Sequence, residues 1–266
     1  MNKYPILLTV PHGGYQVPEE FAEISAVDDF NLFIEADTCA NEIFDLRQSV
    51  AAVVSSSVSR LFVDTDRPYW TLQKKEADGV IKTISPNGNR VFADKCFPDG
   101  IAASAIIKRY YESFHETIRS ILKTGEIKLI VDCHTVMPVG PKNANDAGMP
   151  RPLVSVENKI IKNGNTIRTC PDNTAEAFLK AFENSFTKEE SGVTAPYILK
   201  KETCGGYIME EYGQSKINML RLNLSKSLFL NEKYFSPDFI KVDQLRLAEI
   251  NRKIEDALKK FSRLKL

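Results

Sequence analysis

The chain has 266 residues, 43% hydrophobic and 26% charged, which are ordinary proportions for a globular protein. Its 35 basic side chains balance 35 acidic ones, which argues against a nucleic-acid or anionic-membrane partner, since either usually leaves a basic excess. No run approaches the roughly eighteen apolar residues of a membrane span.

The N-terminus lacks an apolar signal core. Five scattered cysteines (Cys39, Cys96, Cys133, Cys170, Cys204) form no CxxC and read as reduced thiols. A cytoplasmic protein is expected. The length suits a single domain over 1–266, able to bury roughly 70–75% of the surface of its unfolded chain.

In chain order, Ile6 to Val10 reads as a buried strand ended by Pro11 and two glycines. Residues 28 to 48 read as a helix with Asp28 or Asp29 as cap and a rough apolar face. Ala51 to Ser55 and Arg60 to Val63 are β-rich and predict strands. Residues 65 to 100 are irregular, with turn signals at Gly79, Asn87-Gly88 and Asp99-Gly100. Ile101 to Lys123 predicts a helix, because Ile106, Tyr110, Phe114, Ile118 and Ile121 step by three or four.

A second strong strand covers 127 to 133, and a Gly-, Pro- and Asn-rich loop follows from Pro138 to Met149. Leu153 to Val156 predicts a strand and Asn173 to Phe186 a helix. Gly205 to Gly213 and Ile217 to Leu224 look extended. Lys241 to Leu264 predicts an amphipathic closing helix. The alternation suggests an α/β fold with a sheet covered on both faces.

Two of the three histidines follow directly on apolar strands: His12 in Pro11-His12-Gly13-Gly14, and His134 in Asp132-Cys133-His134-Thr135. Carboxyl ends of strands in open α/β sheets are where ligands bind. The pair can be read as metal ligands, as an acid–base couple or as ordinary turn and core residues. Strand alternation puts Asp132 and His134 on one side and Cys133 on the other. An acid beside a histidine is the device that fixes its tautomer as a ligand, and the split disfavours a Cys–His nucleophile.

A metal needs at least one more ligand. Glu35 and Asp37 offer carboxylates, although acids on a helix are more often a solvated face. His115, inside a helical pattern beside Phe114, reads as structural, buried and hydrogen-bonded. Arg60 and Arg67 flank a short apolar stretch, and an arginine fork suits a substrate carboxylate. The competing reading is an ion pair with Asp64 or Asp66. No nucleophile elbow, P-loop or dinucleotide fingerprint is present.

Taken together, the ordered set Pro-His-Gly-Gly, an acid cluster, Ser59-Arg60…Asp64-Thr65-Asp66-Arg67-Pro68, Tyr111-x-x-Phe114-His115 and Asp132-Cys133-His134-Thr135 resembles the N-formylglutamate amidohydrolase family. Gly205-Gly206-Tyr207 and Leu220 to Leu230 continue the resemblance, which spans about residues 5 to 232. It implies a three-layer α/β/α sandwich with a mixed central sheet, like that of zinc exopeptidases. It also implies a metal-dependent hydrolase of an N-acyl amino acid such as N-formyl-L-glutamate, with Zn²⁺ or another divalent ion as cofactor. On this resemblance His12, His134 and Asp37 are the metal ligands, with Glu35 as substitute for Asp37. Arg67 holds the substrate carboxylate, assisted by Arg60.

Two positions depart from the family pattern. Asp66 stands where the family carries Asn beside the anchoring arginine. Arg221-Leu222-Asn223 stands where the family carries Gln-x-Glu, whose glutamate is the general base. Asn cannot accept a proton at neutral pH. Glu210 or Glu211 becomes the substitute if the chain brings one to the metal. The alternatives are an amidase or peptidase of different substrate, or a homologue that binds metal or ligand with weakened turnover.

Overall fold

The computed structural model describes residues 3–71, 79–141, 146–183, 185–186, 197–200 and 206–265. The eight strands that position the site are β1 (Tyr4–Val10), β2 (Val50–Ser55), β3 (Leu129–Val136), β4 (Val154–Glu157), β5 (Lys159–Lys162), β6 (Asn165–Arg168), β7 (Tyr197–Leu199) and β8 (Asn218–Ser225). Six of them form one mixed sheet in the order β2-β1-β3-β8-β4-β7, while β5 and β6 pair as a separate hairpin. β2, β1, β3 and β8 run parallel, β4 is antiparallel to β8, and β7 is parallel to β4.

The helices are α1 (Asp29–Glu35), α2 (Ala40–Ile43), α3 (Gly100–Ile106), α4 (Ser113–Leu122), α5 (Asp172–Phe182), α6 (Tyr207–Tyr212) and α7 (Gln244–Lys265). α2, α5 and α7 pack on the sheet face formed by Ile6, Leu8, Leu129, Val131, Leu220 and Leu222. α4 and α6 pack on the opposite face, against Leu7, Ile130 and Met219. Burying both faces requires near-continuous apolar strands, and Ile6 to Val10 and Leu129 to Val131 supply them.

The second face changes character along its length. Its amino-terminal half is apolar (Leu7, Ile130, Met219), whereas its carboxyl half presents Thr9, Asp132, His134, Arg221 and Asn223, all buried. Strand register lines these residues up: Asp132 pairs with Arg221 and His134 with Asn223. Ser155 and Glu157 extend the row onto β4. Cys133 lies in the core of the other face, as alternation predicts. There burial and the charge of Asp132 push its thiol well above the usual range, which disfavours the thiolate.

Four expectations are corrected. Residues 28 to 48 are two helices, not one. α1 stops at Glu35, the chain extends through Ala36, and Cys39 takes a left-handed conformation (φ 55°) before α2. Lys226 accounts for the break: its Nζ donates to Ile34 O (2.9 Å) and Ala36 O (2.6 Å), satisfying carbonyls that a continuing helix would have used. Arg60 to Val63 is not a strand but a tight turn in which the Phe62 and Val63 amides both bond Ser59 O. Gly206 to Gly213 is not extended: Tyr207–Tyr212 is α6, and Gly205 lies outside the described residues. The helix expected to Phe186 ends at Phe182.

The expected helix over 101 to 123 forms continuously from Gly100 to Leu122, with a π-turn at Ile107–Glu112 and Asp99 as its cap. Part of the 138–149 loop (142–145) lies outside the described residues, as does Cys204; Cys39, Cys96, Cys133 and Cys170 are free.

The Pro-His-Gly-Gly turn is tight because a second backbone crosses it. A Cβ on Gly14 would stand 2.2 Å from the Ser57 carbonyl carbon, and one on Gly13 would strike Asn41. Gly14→Ala is expected to cost about 3 kcal/mol through overpacking against backbone, read as a lowered urea midpoint at unchanged m value.

Candidate metal centre

The histidine-bearing turn, the break between α1 and α2, and the end of β3 converge. The Asp37 amide donates to His12 O (2.9 Å), which locks the break onto the turn. His134 Nδ1 bonds Asp37 Oδ2 at 2.7 Å, and His12 Nδ1 lies 3.8 Å from the same oxygen. The imidazole centroids are 5.2 Å apart. One ligand atom from each of His12, Asp37 and His134 falls within 4.8 Å of the others, and all three side chains are buried. The structure therefore brings together the three residues singled out as ligands.

Both imidazoles are backed the same way. His12 Nε2 bonds Asp64 Oδ1 (2.7 Å) and His134 Nε2 bonds Asp132 Oδ2 (2.9 Å). A carboxylate on the far nitrogen fixes the tautomer and raises the basicity of the near one, as it does for ligating histidines. His12 Nδ1 is buried without a hydrogen-bond partner. An orphaned, carboxylate-backed imidazole nitrogen facing a carboxylate fits a divalent cation, and two nitrogens with one oxygen suit zinc.

A second acidic grouping, Asp66, Asp132 and His134, is already filled. The Arg221 guanidinium donates to Asp132 Oδ2 (2.7 Å) and Asp66 Oδ2 (2.8 Å), standing where a cation would.

The electrostatics are those of a shell poised around charge. Burial opposes ionisation of Asp37, yet His134 and His12 hold its carboxyl well below the usual range. Burial opposes Asp64 too, but Lys82, His12 and Arg60 hold it low. Lys82 is fully buried, with Nζ 2.7 Å from Asp64 Oδ2, and burial brings it down to about 8 against the pull of Asp64. Burial brings Lys226 down to about 8 in the same way. His134 goes the other way: despite burial, Asp132 and Asp37 raise it to about 10. Carboxylates facing both of its nitrogens favour the protonated form.

Arg60 spans Asp37 (3.7 Å) and Asp64 (3.5 Å), and Arg67 Nε stands 3.8 Å from Asp64. Both lie on the rim of the cluster. The loop that carries them is clamped from behind: Tyr111 donates to Arg67 O (2.8 Å), and His115 bonds Thr65 O (3.0 Å) and Tyr212 (2.9 Å). His115 is structural as expected, and burial lowers it to about 4. Asp66 accepts from the Ile208 amide at the start of α6, where only glycine fits at 206, since a Cβ would meet the carboxylate at 1.8 Å.

Other expected residues are not in the cluster. Glu35 accepts from Ser85 Oγ and from the Asn87 amide (3.3 Å), away from the histidines. Glu211 is exposed and accepts from Tyr207, one turn back on α6. Glu210 is half-buried on the same helix, and burial, then Asp66, raises its pKa. Neither is among the groups that meet at the histidines. Asn223 does lie beside His134, bonded to Ser155 Oγ and Glu157 Oε1. Lys82, Lys226 and Glu157 were not singled out from sequence, and Arg221 only as part of a departure from the family pattern. The available signal was a charged residue inside an apolar run: Lys82 after Val80-Ile81, Arg221 between Leu220 and Leu222.

Comparison with known proteins gives a family. Residues 4–230 match the model of the N-formylglutamate amidohydrolase family. The fold is similar to that of the crystal structure of N-formylglutamate amidohydrolase from Ralstonia eutropha JMP134, at 14% identity with a TM-score of 0.73, covering 100% of this chain and 95% of that one. It is also similar to a gene product of Agrobacterium tumefaciens, at 16% identity with a TM-score of 0.63, covering 99% and 93%. Among curated proteins, 139 residues are 24% identical to elongation factor Ts of Saccharophagus degradans, 52% of this chain and 48% of that protein. A similar match to the factor from Teredinibacter turnerae is 25% identical over 43% of this chain and 39% of that one. The chain thus spans less than half the length of the curated relatives it matches.

Two outcomes are expected. Asp66→Asn should cost about 2 kcal/mol, the loss of one charge-assisted bond to the buried Arg221, which keeps Asp132 as its partner, read in chemical denaturation. Zinc titrated into the metal-free protein at pH 7 should expel a proton from His134, because a ligand must be neutral. Affinity should then rise with pH until about 10, the value to which its carboxylates raise His134. Calorimetry in buffers of different ionisation enthalpy reads both effects.

Proposed function

The chain belongs to the N-formylglutamate amidohydrolase family, and on that premise we propose that it is a divalent-metal, preferably zinc, hydrolase of N-acyl amino acids such as N-formyl-L-glutamate. The observation that carries the reading is the orphaned Nδ1 of His12, buried beside Asp37 and His134 with a carboxylate behind each imidazole. His12, Asp37 and His134 would hold the ion, which supplies Lewis-acid polarisation of the acyl oxygen when bound. With an ion bound, Asp64 and Asp132 would accept the Nε2–H of each imidazole and leave both Nδ1 atoms free to ligate.

Charge balance supports an anionic substrate. Four acids (Asp37, Asp64, Asp66, Asp132) and five cations (Arg60, Arg67, Lys82, Arg221, Lys226) surround the site. A dication added to that balance leaves the site positive. Arg60 and Arg67 are the more exposed cations, with side chains 18% and 35% accessible, so they are the ones a substrate carboxylate can reach. Hydrolysis breaks the acyl carbon–nitrogen bond, delivers the water oxygen to the acyl carbon and a proton to the nitrogen, and releases an acid and an amine.

A second reading, a homologue that binds but turns over weakly, is favoured by one observation: Asn223 cannot serve as a base. Under it, Asn223→Glu gains activity.

Zinc-loaded protein is expected to release formate from N-formyl-L-glutamate in a coupled assay. Arg67→Ala should raise KM about tenfold or more, the loss of a charge-assisted bond to carboxylate. A protein that retains no divalent metal and regains none on addition would sink the proposal.

A further inference from the structure

Asn223 stands next to His134 in the strand register, where it cannot carry a proton but can still bond. Its Nδ2 donates to Ser155 Oγ (3.2 Å) and to Glu157 Oε1 (3.0 Å). A primary amide has two N–H donors, so both are used. Glu157 is 1% exposed, and Lys200 Nζ donates to the same carboxylate oxygen at 3.0 Å. A carboxylate held this way only accepts. It therefore decides which end of the Asn223 amide faces it: turning the amide over would set Oδ1 against Oε1 and leave two acceptors facing each other.

Oδ1 is thus turned away from Glu157 by chemistry rather than by an arbitrary choice of rotamer. Among the described residues, no group donates to Oδ1. The other polar side chains of this row are engaged: His134 with Asp37 and Asp132, and Arg221 with Asp132 and Asp66. The row ends, one strand from the metal triad, in an oriented and unfilled acceptor.

We infer that Asn223 selects the substrate by its nitrogen: Oδ1 receives the N–H of the scissile amide, and Glu157, with Ser155, is the positioning residue that aims it. The feature selected is therefore a hydrogen on the nitrogen of the scissile amide. Esters and N-alkylated amides lack the hydrogen and are disfavoured. This rests on the hydrolase reading above.

The test compares N-formyl-L-glutamate with its oxygen isostere, the formate ester of 2-hydroxyglutarate, on the zinc-loaded protein. The two differ in little but the N–H. Asn223→Leu and, as a smaller second variant, Asn223→Ala should lower kcat/KM for the amide about tenfold more than for the ester, the worth of one buried hydrogen bond. Glu157→Gln, which can donate as well as accept and so frees the amide to turn, should shift the same ratio in the same direction at unchanged zinc stoichiometry. A purely structural role for Glu157 would lower both substrates alike. Equal losses on amide and ester in all three variants overturn the inference and leave the hydrolase reading standing. A wild-type protein that hydrolyses neither substrate overturns both.

Discussion

Two buried aspartates, Asp64 and Asp132, hold the centre together. Each takes the Nε2 edge of one histidine, so both Nδ1 edges are left to meet around Asp37. A buried carboxylate is costly unless its oxygens are paired, and the structure pairs them. Asp64 is held by His12, Lys82 and the Asp66 amide. Asp132 is held by Thr9, His134 and Arg221. The demand then spreads outward. Arg221 needs a second partner and finds Asp66, whose remaining oxygen caps α6. The position of α6, the glycine at 206 and the polar half of one sheet face all follow from satisfying those two acids.

That chain of pairing also gives Asp66 its place. Asp66 looks, from sequence, like an acid that would blunt the neighbouring Arg67. In space its charge is taken by Arg221, 155 residues further along the chain. A lone buried charge is far costlier than a matched pair, so each of the two residues depends on the other. Asn223 is held in the same row, where Glu157 on β4 accepts from its amide.

The strands were legible because burial on both faces leaves a plain signature in Ile6 to Val10 and Leu129 to Val131. The facing of Asp132 and His134 followed from a period of two. The break at Ala36 to Cys39 was not legible, because its cause lies 190 residues away in Lys226. α6 was not legible either: a six-residue helix has too few turns for periodicity, and its start is capped by Asp66 rather than by a local side chain. Arg60 to Val63 has strand composition, yet its residues serve a turn that aims Asp64. Tertiary demand overrides propensity in each case. The three candidate ligands and the two arginines could be named on resemblance, whereas the burial of Lys82 and Lys226 could not, since a lysine beside one or two apolar residues gives only a faint sign that it is buried.

The distribution of exposure suggests how such a closed centre is approached. His12, Asp37 and His134 are 3–5% accessible and Asp64 is sealed, whereas the arginine side chains retain 18% and 35%. An incoming anion therefore meets Arg60 and Arg67 before it meets anything else in the cluster. Both arginines already lean on Asp64, and Arg60 also leans on Asp37, at separations of 3.5–3.8 Å, too long for strong bonds. On the proposed function, a substrate carboxylate that draws Arg60 outward would loosen a cation that stands over Asp37, so a group that recognises the substrate would also be one that covers the three candidate ligands.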